Sequence, residues 1–297
     1  MTTSFLGGWI RDDDAVDAIK SEMQFPMLSQ AGPEIKGTGK GKIALLYKFF
    51  SKNNISFPLK HQTVGDCVSQ ASAIVAETRI VTEISLGDNE KWVGQISTES
   101  IYYGSRIVVG KGRIRGDGSV GAWAMKFMHR DIGGCLFRKK YDFADLTKYN
   151  GNLARSWGSG KVPNGVIEEC KKSPIDNYTS CENYEDVRDS IYNGYPVIVC
   201  SQQGFANKRD SDGFANGSGQ WAHAMAFLGV DDTGSRPGVL CVNSWGPDWI
   251  SGPKRHDQPD GSFWVDVEYV NKMCKMGDTW AVAGFNGFKK RPNMRII

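Results

Sequence analysis

Histidine is scarce in this chain. Four occur in 297 residues, at positions 61, 129, 223 and 256, so any chemistry that needs an imidazole has few places to reside. The seven cysteines (67, 135, 170, 181, 200, 241 and 274) are odd in number and include no Cys-x-x-Cys pair, which argues against a disulfide framework and a cysteine-based zinc site; they read as mostly reduced. Long uncharged apolar runs are lacking, and Arg11 with Asp12 to Asp14 interrupts the opening stretch too early for a secretory leader. Neither a membrane partner nor export by a signal peptide is therefore expected. Charge of one sign is lacking as well: 36 basic against 33 acidic residues leave +3, which gives no reason to expect nucleic acid as a partner. No internal repeat is visible. The length allows one large domain or two lobes, with ample residues for a core.

What the chain does have is a cysteine in an unusual setting. In Lys60-His61-Gln62-Thr63-Val64-Gly65-Asp66-Cys67-Val68-Ser69-Gln70, a glycine-containing turn runs into a segment whose Ala71, Ile74, Val75, Thr78 and Thr82 recur at helical spacing. Cys67 thus falls at a helix start, where unpaired backbone N–H groups carry about half a positive charge and favour a thiolate. A small buried cysteine ending a loop would look the same, so the cysteine alone decides nothing.

Residues 1–45 read as an N-terminal extension, with a short helix at 16–23 and the glycine-rich, basic stretch 37–42. An activation peptide, an arm that docks onto a larger assembly, and a simply wrapped extension all fit that composition. Beyond it, the helix from Cys67 should close at Leu86-Gly87, a second should run from Ser97 or Thr98 to Val109, and a third around 123–130. Residues 153–163 look irregular, and Asn183 can cap a helix over Tyr184–Tyr192. The texture then changes to short β-rich runs at 196–200, 222–230, 239–242, 262–267 and 280–285. Helices first and antiparallel strands later is an α+β layout, with a cleft expected between the halves.

Of the four histidines, His129 and His256 sit in polar surroundings that suit solvated residues, whereas His223 opens the apolar run Ala224 to Val230. Downstream lies Cys241-Val242-Asn243-Ser244-Trp245-Gly246. An asparagine at the end of an apolar strand can accept an imidazole N–H and fix its tautomer, and a neighbouring tryptophan can cover that bond; ordinary turn chemistry is the alternative. A Gln, a Gly two residues before a helix-opening Cys, a His-Ala before an apolar strand and then Asn-Ser-Trp-Gly, in that order, resemble the papain-like cysteine peptidases. Supporting stretches are Asn193-Gly194-Tyr195-Pro196-Val197 and Gly261-Ser262-Phe263-Trp264, and the resemblance spans roughly residues 55–287.

That resemblance implies a two-lobe fold over 46–290, with a helical lobe at about 60–165, a β lobe at about 166–287 and a basic tail at 288–297. It implies Cys67 as nucleophile, His223 as its base, Asn243 as the orienting residue and Gln62 as the side-chain oxyanion donor. Gly116, Asp117, Gly118, Ala222 and Trp245 would face a protein or peptide substrate, with side-chain pockets near 202–205, and neither a metal nor an organic cofactor would be needed. The sequence departs from the pattern in four places. Gln62 lies five residues before Cys67 where six is usual, so that His61 takes the usual position and is the alternative donor. Val64 replaces a disulfide cysteine, Val68 replaces an aromatic residue, and Asp66 brings a negative charge next to the thiol. The missing leader and the short extension resemble microbial or bacteriophage members, which implies the cytoplasm of the producing cell or a virion. A peptidoglycan or isopeptide hydrolase, and a weakly active structural protein on the same fold, are the rival expectations.

Overall fold

The computed structural model describes residues 6–88, 90–284 and 288–291. Phe285, expected at the end of the last strand, and most of the basic tail, from 292 on, lie outside the described residues. The first helix, α1 (Asp13–Glu22), begins where the Asp12 carboxylate accepts the Ala15 N–H at 2.9 Å, and turns Ala15, Val16 and Ile19 into the core. Further on, β1 (Ile43–Leu45) pairs antiparallel with a strand of the main sheet, Leu45 opposite Gly229. Residues 6–45 therefore wrap the molecule and share its core, and no break in packing marks position 45.

Helix α2 (Cys67–Leu86) is the spine between the halves. It ends as expected at Gly87, whose φ of 84° supplies the left-handed cap. The same-face apolar spacing understated its burial: Cys67 through Arg79 are all below the surface. Helix α3 (Thr98–Tyr103) continues into a π-helical stretch, Gly104–Val109, where Gly104 lies so close to the Phe127 ring that a Cβ has no room. Helix α4 (Gly121–Met128) stops one residue before His129, which lies half-buried, edge-on to Tyr178 at 5.7 Å, because the backbone turns there to bridge Ile175.

The stretch expected to be irregular contains α5 (Gly151–Gly158). Asn150 caps it by accepting the Leu153 N–H at 3.1 Å, and Ala154 and Trp157 form its buried face. Helix α6 (Tyr184–Tyr192) has the predicted bounds, with the Asn183 side chain accepting the Asp186 N–H at 2.9 Å.

The second half is one seven-stranded antiparallel sheet. Its strands β2 (Asn177–Ser180), β3 (Val197–Arg209), β4 (Ala215–Asp231), β5 (Gly238–Val242), β6 (Ser262–Asp266) and β7 (Thr279–Ala283) lie in the order β2-β7-β3-β4-β5-β6, with β1 against the far end of β4. A short helix unsignalled in the sequence, α7 (Val267–Cys274), follows β6. The β3–β4 ladder is regular from Val197–Phe227 to Ser201–His223 and then shifts register, so the histidine stands where regular pairing ends. Among the described residues no helix is long and apolar enough to cross a membrane.

Candidate active site

Cys67 opens α2 and is fully buried. Its thiol lies within reach of the backbone N–H of Ala224, the residue after His223, so α2 and β4 bring the candidate nucleophile and the strand that carries the candidate base to one place. Burial is the main influence on this sulfur and pushes its pKa up to about 12, against the pull of those amides and with the help of the neighbouring Asp66 charge. Asp66 does not cap the helix with its side chain as its type suggests. The carboxylate instead accepts the Gln70 Nε2–H at 2.9 Å, and its own burial raises its pKa to about 7.

His223 is also fully buried. Its Nε2 lies 2.7 Å from Asn243 Oδ1, and that oxygen also accepts the Ser244 backbone N–H at 2.7 Å. Two contacts on one atom identify it as the carbonyl oxygen, so Nε2 carries the proton and Nδ1 holds a lone pair. Nδ1 is buried and has no hydrogen-bond partner among the described residues. Burial lowers the imidazole pKa to about 4, opposed by the Asn243 bond. Trp245 lies over the ring, centroids 4.5 Å apart, and Trp221 and Trp249 pack edge-on against Trp245.

Gln62, not His61, is the buried one of the two candidate oxyanion donors. Ser244 Oγ donates to Gln62 Oε1 at 2.6 Å, which fixes the amide so that Nε2 faces the cleft. His61 is exposed and packs against Gly246. On the opposite wall, Gly116, Asp117 and Gly118 form a turn held by Arg106, whose guanidinium donates to the Gly116, Gly118 and Gly158 carbonyls at 2.5–2.8 Å. Asp117 accepts the Gly65 N–H at 3.0 Å and pairs with Arg155 at 2.7 Å, an ion pair that holds its carboxyl below the usual range. Phe205, placed by the sequence near a side-chain pocket, is core instead, buried among Trp221, Phe263 and Tyr269.

The groove between these walls is filled by the chain's own residues 6–10. The Ala222 carbonyl accepts the N–H groups of Gly8 and Trp9 at 2.9 and 3.1 Å, and Trp9 makes a parallel bridge with Ser119. The Leu6 carbonyl accepts from Gln62 Nε2 at 3.2 Å and from Trp245 Nε1 at 2.9 Å. Backbone alone fits here: a Cβ on Gly7 would lie 2.7 Å from the Ala222 oxygen, and one on Gly8, at φ 150°, would overlap the Gly65 carbonyl.

No protein-family model matches the sequence, and no curated protein matches it. Solved structures do. Xylellain, a cysteine protease from Xylella fastidiosa, superposes with a TM-score of 0.56 at 16% identity, over 94% of this chain and 92% of that one. The fold is papain-like. Fainter likenesses include the procathepsin B S9 of Trypanosoma congolense (TM-score 0.48, 14% identity, 96% and 85% covered) and procathepsin L 3 of the Tenebrio molitor larval midgut (0.49, 14%, 81% and 69%). None of these is a phage protein, so the bacteriophage and virion expectations gain no support.

On this papain-like frame the sequence reading missed the pieces that set the geometry. Ser244 lies inside the Asn-Ser-Trp run and was legible only as a turn residue. Arg106 carried no local signal, since the carbonyls it holds belong to backbone, which has no residue type to read. The filled groove was foreshadowed only by the Gly7-Gly8 pair ahead of a tryptophan.

Proposed function

We propose that the chain is a cysteine peptidase held latent by its own residues 6–10. The observation that carries this reading is the Nδ1 of His223, partnerless among the described residues with its lone pair fixed by the Asn243 bond, one residue before the Ala224 N–H that the Cys67 thiol reaches. With the groove vacated, Nδ1 takes the Sγ proton, giving a thiolate and an imidazolium that still donates Nε2–H to Asn243. The thiolate adds to a substrate carbonyl carbon. The oxyanion formed is met by the backbone N–H of Cys67 and by Gln62 Nε2, the donor that now holds the Leu6 carbonyl. The imidazolium then gives its proton to the leaving amine, and water hydrolyses the acyl-enzyme with His223 as base.

In the closed form both partners are neutral, because burial raises the thiol pKa and lowers that of the imidazole. Activity therefore requires the arm to leave. Gly8→Ala forces a Cβ against the Gly65 carbonyl and should expel it. The test compares wild type, Gly8→Ala and Gly8→Ala/His223→Ala for alkylation of Cys67 and for cleavage of an unfolded protein. Cys67 in Gly8→Ala should react at least ~10-fold faster than in wild type, with cleavage lost in the double variant. Labelling of Cys67 no faster than that of the other six cysteines, with no cleavage, would leave a structural protein on a peptidase fold.

A further inference from the structure

Trp9 is more than a plug. It is only 3% exposed, its ring lies in the same core cluster as Cys67, Val120, Ala122 and Ala224, and its indole Nε1 donates to Asp278 Oδ2 at 2.8 Å. Asp278 is itself buried, at 1% exposure, and is built as a receptor. Its Oδ2 also accepts the Gly121 N–H at 2.8 Å, and its Oδ1 the Trp280 Nε1–H at 2.6 Å. Gly121 gives the socket its shape, since a Cβ there would lie 2.6 Å from Cys200 Sγ and 2.7 Å from Asp278 Oδ1. Cys200 Sγ thus lines the socket, and Trp9, Cys67 and Cys200 belong to one core cluster.

We propose that the socket floored by Asp278 is a substrate pocket selective for tryptophan, filled in the latent form by Trp9. This rests on the peptidase reading and names the side chain its substrates should carry. The backbone contacts of Trp9, with Ser119 and with the Ala222 carbonyl, are ones any extended peptide in the groove can make. What is particular to this chain is the donor-specific floor. Phenylalanine fills a comparable volume but leaves a buried carboxylate oxygen short of one hydrogen bond, whereas indole completes its set. Burial raises the Asp278 pKa, and the N–H groups of Trp280, Trp9, Gly121 and Ala122 draw it back, so the indole is one of the donors that keep this group comfortable as an acceptor.

The test empties the socket in the full chain with Trp9→Ala and adds acetyl-Leu-Gly-Gly-Xaa-Ile amides with Xaa as Trp, Phe or Ala, binding being read by calorimetry. Gly8→Ala, which forces a Cβ against the Gly65 carbonyl and expels the arm with Trp9, vacates the socket if the alanine variant does not fold. The tryptophan peptide should bind about 10-fold more tightly than the phenylalanine peptide and more tightly still than the alanine one. In parallel, a random peptide library is digested and cleavage sites are sequenced, with tryptophan expected at one fixed distance from the cut bond. Equal binding of Trp and Phe peptides, or cleavage without tryptophan enrichment, overturns the pocket while the peptidase stands. A library left intact in the presence of a clear indole preference instead overturns the peptidase reading and, with it, the pocket's part in catalysis.

Discussion

A buried side chain amide works as an oxyanion donor only if it cannot turn over, and Gln62 is held by Ser244 Oγ on its oxygen and by the Val64 carbonyl at 3.0 Å on its nitrogen. Gln62→Ala in an arm-opened background should therefore lower kcat by ~10²-fold with little change in KM, and Ser244→Ala by a smaller factor, as steady-state kinetics would show. The thiol offers a second check. Its folded pKa is raised by desolvation, so in wild type the alkylation rate of Cys67 should keep climbing with pH toward about 12. Opening the arm readmits water and removes most of that penalty, so in Gly8→Ala the rise should move to lower pH; an unchanged profile would mean that the arm does not shield the sulfur. At this scale much was legible. Cys67, His223, Asn243 and Trp245 are tied to local patterns, a helix start and two strand ends, and the structure gathers them. The uncertainty between His61 and Gln62 could not be resolved from spacing, because it depends on which side chain meets Ser244, 182 residues away.

Among the elements, the helices with a capping residue ahead of them were read best, α6 with its Asn183 cap and α2 with Gly87 behind it. Helix α5 was lost although Asn150 caps it, because Gly151 and Gly158 and the following turn residues outweighed two buried side chains. The turn 116–118 shows what composition cannot carry. Its backbone conformation, with φ of 72° at Gly116 and 116° at Gly118, was expected from the glycines, but the turn's carbonyls are held by one guanidinium. Arg106 donates to the Ile114, Gly116, Gly118 and Gly158 carbonyls, lies over the Tyr102 ring at 4.9 Å and is nearly buried. Arg106→Lys keeps the charge but not the planar fork, so it should cost about 2–3 kcal/mol in urea unfolding and loosen the arm, with faster Cys67 alkylation as the second readout. Loss of stability without faster alkylation would show that the turn does not govern the arm.

For the molecule as a whole, α2 is enclosed from Cys67 to Arg79, which obliges its polar residues there to find partners inside. Ser72, Thr78 and Thr82 bond back to the carbonyls of Val68, Ile74 and Thr78, each at 2.7 Å, and Glu77 pairs with Lys60 at 2.7 Å. The most consequential pair is Arg79 with Glu83, 2.5 Å apart and each 2% exposed, since Arg79 also donates to the Gly194 carbonyl at 2.7 Å and stacks on Tyr195. One side chain thus fastens the spine to the entry of the β lobe. Replacing it by methionine leaves Glu83 buried beside an apolar chain, a loss of about 3–5 kcal/mol, whereas the double replacement Arg79→Met/Glu83→Leu should recover most of it. The pH dependence has a definite sign. Burial already raises the Glu83 pKa against the pull of Arg79, and without that partner it rises further. Between the unfolded carboxyl pKa and that raised folded value the folded state binds a proton the unfolded state does not, so the single variant gains stability as pH falls through that window. Urea unfolding of Arg79→Met should show a smaller deficit against wild type at pH 5 than at pH 7; a deficit that grows on acidification would mean that Glu83 is not the group left stranded.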